Sequence, residues 1–191
     1  MDNRKRTVID LRSEQRSIAL GAIAALTVCA AVLSLGYLVL PRWFQSPVDL
    51  PARLAFAVKA DLFVLLWVVL GIVLVAYGRG WSAADIRGPA FSPPSPPIAV
   101  QFAFLQNTLE QAMIAAGAHL VLATFLEGAA LALIVAAVAL FGLGRLAFLL
   151  GYARGAGGRA FGMATTFLPT GAGYTLAIGL LAHQTCGRWL F

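Results

Sequence analysis

Five long apolar stretches constrain this 191-residue chain more than any other feature. They run from about Ser17 to Leu40, Leu54 to Tyr77, Ile98 to Phe125, Gly128 to Tyr152 and Phe161 to Ala182, here called segments A to E. Each has the ~20 residues a helix needs to span ~30 Å of hydrocarbon at ~1.5 Å per residue. None alternates polar and apolar residues with period two, which argues against barrel strands. Hydrophobic residues make up 60% of the chain and charged ones 12%, against roughly 45–50% and 25% in a soluble domain. That excess has no core to enter in water. The expected fold class is therefore all-α and integral to a membrane, with five spans and membrane lipid as its surroundings.

The linkers carry helix-breaking chemistry. Pro41, Pro47 and Pro51 separate A from B, and the run FSPPSPP, 91 to 97, is expected to be extended before segment C. The very short C–D connection makes those helices antiparallel neighbours. Pro169, followed by Gly171 and Gly173, predicts a kink or a local break in E. Segment A exceeds the usual 7–15 apolar residues of a signal core. Val28 is too bulky for a lipoprotein cleavage site before Cys29, so A reads as a retained helix.

The net charge of +6 is scattered and forms no basic face, so nucleic acid is not an expected partner. With a cytoplasmic N-terminus, the inside set is Arg4, Lys5, Arg6, Arg12, Arg16, Arg79, Arg87, Arg154 and Arg159. The outside set is Arg42, Arg53, Lys59 and Arg188, and nine against four supports this orientation. The short, alanine-rich chain leans toward a bacterial inner membrane. Cys29 and Cys186 match no metal or redox spacing and read as small apolar residues. Two histidines and two cysteines assemble neither a metal site nor a nucleophilic triad. His119 reads as a buried histidine with a partner, and His183 as interfacial.

Polar groups inside the spans carry the functional content. The run QNTLEQ, 106 to 111, places Asn107 and Glu110 one turn apart in segment C. A charge at membrane depth costs about 2.5–3.5 kcal/mol or more and usually faces a partner or a wet site. Glu110 lies roughly 18 Å along its helix from Ile98, and Arg145 roughly 10 Å before Tyr152 on D, so the two reach similar depth and are expected to pair, within or between subunits. If D continues past its apolar stretch, Arg145, Phe148, Tyr152 and Arg159 lie along one stripe. Simpler roles stand beside these: an interfacial anchor for Tyr152, topology charges for Arg154 and Arg159, and a helix–helix hydrogen bond for Asn107. The run GYARGAGGR, 151 to 159, is glycine-rich but lacks the ending of a phosphate loop. Its Gly151 and Gly155 form a weak small-xxx-small signal.

Together these residues resemble the MAPEG family, membrane-associated proteins in eicosanoid and glutathione metabolism. The family's second helix begins Arg-x-x-x-Asn-x-x-Glu, matched here by Ala103-x-x-x-Asn107-x-x-Glu110. Its third helix ends with an Arg, then Gly-Tyr-Ala, then a catalytic Arg seven residues after the Tyr. Here these are Arg145, Gly151-Tyr152-Ala153 and Arg159. The proline-rich lead-in to C also looks like the family's first cytoplasmic loop. The resemblance covers about Asp61 to Ala182. It implies a four-helix bundle of B to E over 54–191, assembled as a homotrimer, with 1–53 adding a basic N-terminus, an extra transmembrane helix and a linker. It implies sites between subunits near the cytoplasmic face that bind glutathione as co-substrate. Arg159 would stabilise its thiolate, and Asn107, Glu110, Tyr152 and Arg145 would bind it. The second substrate would be a lipophilic electrophile or a lipid hydroperoxide.

The departures bear on that expectation. Ala103 replaces an arginine that grips a glutathione carboxylate, and Phe148 and Gln111 stand where some members have tyrosine. Losing an Arg–carboxylate contact removes a strong, often bidentate bond. Arg87 in the loop is a candidate substitute. Two readings stand: a glutathione transferase or peroxidase, and a non-catalytic lipid-binding or scaffolding relative. A transporter finds no support, since no inverted repeat is visible.

Overall fold

Side-chain caps and prolines set the starts of the first three long helices. In the computed structural model, which describes residues 10–43 and 45–188, Asp10 accepts the Arg12 backbone N–H at 3.1 Å and opens α1, Leu11–Val39. Arg4, Lys5 and Arg6 lie outside the described residues. A 3-10 turn, Leu40–Arg42, ends this helix. Asp49 accepts the Ala52 N–H at 2.8 Å and Pro51 sits in the first turn of α2, Leu50–Gly80. α3 spans Pro96–Phe125, α4 Ala132–Gly151 and α5 Gly155–Arg188. Short 3-10 turns, Gly128–Leu131 and Tyr152–Arg154, precede α4 and α5.

The described residues are all-helical in their regular structure, and among them four segments are long and apolar enough to cross a membrane. These are Leu11–Arg42, Leu50–Gly80, Pro96–Phe125 and Gly128–Cys186, the last taking in both α4 and α5. Five separate stretches were expected from sequence; α4 and α5 here fall within one such segment, joined through the 3-10 turn at Tyr152–Arg154. The FSPPSPP run is only partly extended. Pro96 and Pro97 form the first turn of α3, where a missing N–H leaves nothing unpaired.

α4 packs against α5, α2 against α3, and α1 along α5. Water drives none of this inside lipid, where close approach of small residues supplies the packing energy. A Cβ on Gly162 would fall 2.3 Å from the Phe148 backbone N, and one on Gly144 2.9 Å from the Gly162 carbonyl. α1 buries Ala25, Cys29 and Gly36 on one face, and a Cβ on Gly36 would lie 2.7 Å from that of Ala136. Leu62, Phe63, Leu66, Val69 and Val73 of α2 are exposed, as a lipid-facing surface would be.

α5 runs unbroken through Pro169, so of the kink or local break expected there the break does not form. Pro169 has no N–H for the Thr165 carbonyl four residues earlier. The buried Cys29 thiol of α1 donates to that carbonyl at 3.7 Å instead. Cys186 is exposed.

Polar clamps fix the ends of the bundle. Arg53 donates to the Leu126 carbonyl at 3.0 Å and to Glu127 at 2.8 Å, tying α2 to the α3–α4 connection. The α2–α3 loop is fastened by Asp85, which accepts from the Ser95 N–H at 2.8 Å and from the Ser82 and Ser95 hydroxyls. Those hydrogen bonds hold its carboxyl below the usual carboxylate range. Between α2 and α3, His119 Nδ1 meets Asp61 at 2.6 Å, and both are buried. This is the partner that a lone histidine on an apolar helix needs.

Candidate functional site

The site begins with a guanidinium buried where two helices touch. Arg145 of α4 is fully buried, donating to Asn107 Oδ1 of α3 at 2.7 Å and to the Thr166 hydroxyl of α5. Its Cζ lies 4.8 Å from the centre of the Phe148 ring and 5.6 Å from that of Phe141. These rings and dipoles offset part of the desolvation cost. Among the described residues no carboxylate pairs with it. The Glu110–Arg145 pair expected from sequence is not formed within the chain. Glu110 lies on the exposed face of α3 and accepts from Gln106 at 2.7 Å. Asn107 and Glu110 share a turn, but the helix's rotation turns only the first inward.

Holding Asn107 by its oxygen has a consequence. The amide N–H groups are left to point elsewhere, and Asn107 lines a cavity of about 440 Å³, within the ~300–1,000 Å³ of small-molecule sites. The other polar residues at this cavity are Tyr152 and Arg159. The Arg159 Cζ sits 4.7 Å above the Tyr152 ring, and Phe148 meets that ring edge-on at 5.5 Å. Ala103, Ala156 and Ala160 keep the walls thin, and Met163 and Ile18 complete the apolar side. Among the described residues no carboxylate lines the cavity, so its polar edge offers mainly donors and the half-buried cation of Arg159. That chemistry suits an anionic group with an apolar attachment.

Backbone contact between α4 and α5 sets this geometry. A Cβ on Gly151 would fall 2.0 Å from the Gly158 carbonyl oxygen. Tyr152 and Arg159 are the residues that follow these two glycines, so the contact fixes one beside the other. Gly151 ends α4 and packs against Gly158, while Gly155 lies on α5, so the weak small-xxx-small pair does not share one helix. Gly155 takes φ +85° and starts α5. Arg159 therefore belongs to α5 and not to a continued α4 stripe, yet it reaches the same cavity.

The structure brings Asn107, Tyr152 and Arg159 to one cavity, sets Arg145 behind Asn107, and leaves Glu110 and Arg87 exposed elsewhere. Sequence reasoning missed Thr166 and Ile18. A threonine in an apolar helix usually bonds its own backbone, as Thr166 also does to Met163 at 2.9 Å, so its second role leaves no local signal. Among the described residues no cluster could hold a metal ion.

Residues 54–179 match the model of the MAPEG family. No curated protein and no solved structure matches the chain.

Proposed function

The chain belongs to the MAPEG family, and from that premise we propose that it is a glutathione-dependent transferase or peroxidase acting on lipophilic electrophiles or lipid hydroperoxides. One observation carries this reading: Asn107, Tyr152 and Arg159 edge a single cavity that has apolar walls and, among the described residues, no carboxylate. Glutathione, as co-substrate, supplies a thiol with a free pKa of about 8.5, mostly protonated at neutral pH. Arg159 favours the ionised sulfur. Lowering that pKa by about two units takes roughly 2.7 kcal/mol of differential stabilisation, which a close, half-buried guanidinium bonded to the sulfur would supply. Tyr152 steadies Arg159 through its ring. Arg145 is a positioning residue that orients the Asn107 amide donors. The lipophile reaches the sulfur along the apolar wall.

In this reading α4 and α5 cross the membrane separately, giving five spans with a cytoplasmic N-terminus in a bacterial inner membrane. The family's four-helix unit and its homotrimer support that arrangement. Gln106 and Glu110 add a physical reason: an exposed polar pair at membrane depth is costly facing lipid, and a neighbouring chain would cover it.

A second reading has its own observation. Ala103 lines the cavity where the family's arginine would grip a carboxylate, which favours a lipid-binding relative without catalysis. Thermal stability with added glutathione separates the two. Ligand at 100 times its dissociation constant stabilises by about 2.7 kcal/mol. The enzyme reading expects such a shift, together with loss of turnover in Arg159→Ala. No shift at millimolar glutathione would favour the second.

A further inference from the structure

We propose that the N-terminal helix, which lies outside the family-matched segment, is a working wall of the site: Ile18 sets how bulky an apolar group the cavity accepts, and Glu14 clasps that wall to the turn carrying Arg159. The proposal rests on the transferase or peroxidase reading and names a specificity residue for it.

Three contacts within two turns of α1 converge on the start of α5. The Glu14 carboxylate accepts the Gly157 backbone N–H at 3.1 Å. That N–H belongs to the first turn of α5, which has no earlier turn to bond to. An acid from another helix thus caps it, with the helix dipole adding to the attraction. One turn on, a Cβ at Gly157 would fall 2.5 Å from the Ser17 Cβ, so only glycine lets the helices meet there. One further turn on, Gly21 approaches Ala160 and Phe161, its virtual Cβ 3.1 Å from the Phe161 N. Ile18 lies between these contacts and faces the same cavity as Arg159, Ala156 and Ala160.

The polar and apolar ends of the cavity therefore have different origins. Asn107, Tyr152 and Arg159 come from the family-matched helices, while Ile18 comes from outside them. Ile18 is 39% exposed, so it borders the cavity without sealing it and a long apolar chain passes beside it. Altering Ile18 should change which lipophile fits and leave the thiol end untouched. In an apolar pocket one methylene is worth about tenfold or more in discrimination. A half-exposed wall residue sits at the low end of that range.

The test uses the full chain in detergent and S-alkylglutathiones of increasing chain length, with binding read by thermal stabilisation. Wild type is expected to prefer one chain length. Ile18→Ala is expected to shift the preference about tenfold toward bulkier groups, and Ile18→Trp toward smaller ones. Glu14→Ala should blur the size preference. Glu14→Gln, which keeps an oxygen acceptor, should retain it. If the compounds bind but every Ile18 variant keeps the wild-type preference, the wall is refuted and the parent reading stands. If none binds the wild type, the parent reading falls and the wall with it. An equal loss of affinity for all chain lengths in the Ile18 variants would show a merely structural role and also overturn it.

Discussion

Gly151→Ala is the most informative single perturbation of this molecule. The added Cβ would stand 2.0 Å from the Gly158 carbonyl oxygen and 2.7 Å from its carbon. Both are backbone atoms, so no flexible side chain can move aside. Ordinary van der Waals contact starts at 3.4 Å, and α4 and α5 must separate locally by about 1.4 Å to restore it. Overpacking of this kind costs about 1–3 kcal/mol, and the backbone at Gly151, φ −82°, offers no compensating strain to relieve. The displaced residues are the neighbours of Tyr152 and Arg159. A misplacement of ~1 Å at a reacting group can cost ~100-fold in rate. Thermal unfolding in detergent, with glutathione-dependent turnover on the same preparation, measures both effects. Gly179→Ala is the control: nothing lies within 4 Å of its Cβ, so it should be neutral or stabilise by about 0.5–1 kcal/mol. Gly151→Ala with wild-type stability and wild-type turnover would refute the view that this glycine contact builds the site.

Two further outcomes follow from the clamps. Asp61→Leu alone should destabilise by about 3 kcal/mol by stranding His119, while pairing it with His119→Leu should recover most of that loss; equal stability of the single and double variants in a thermal scan contradicts this. The Asp85 carboxyl is held below its usual range, so its fastening of the loop is fully present above the unfolded carboxylate pKa and is lost as pH falls through the folded value. Hydrogen-exchange protection across residues 82–95, taken relative to the intrinsic amide rate at each pH, should therefore fall at acid pH and, in Asp85→Ala, already be low at neutral pH; protection of that loop that ignores both changes would contradict the assignment.

The sequence made the helices legible because length and apolarity are local properties. Segment C begins within two residues of α3 and ends with it. Helix rotation was less legible. Asn107 and Glu110 read as one polar patch, yet the bundle points the first at Arg145 and leaves the second outside. The Thr165 carbonyl that Pro169 leaves without its helical donor is met by the Cys29 thiol, 136 positions away from it in sequence, which no local rule supplies. The place of Arg159 turned on Gly155, whose positive φ ends one helix and starts another before the stripe can continue. Ile18 was invisible for a different reason: it comes from a helix that the family pattern does not include, and only three-dimensional packing brings it to the cavity.

The account rests on an anionic thiol held beside Arg159 in the cavity edged by Asn107 and Tyr152. Titrating glutathione into the detergent-solubilised protein at neutral pH, while following the ultraviolet absorbance of thiolate, tests this most directly. The account predicts a stoichiometric thiolate signal that falls to background in Arg159→Ala and survives in Arg87→Ala. A signal of equal size in wild type and Arg159→Ala, or glutathione bound with its thiol fully protonated, would contradict it.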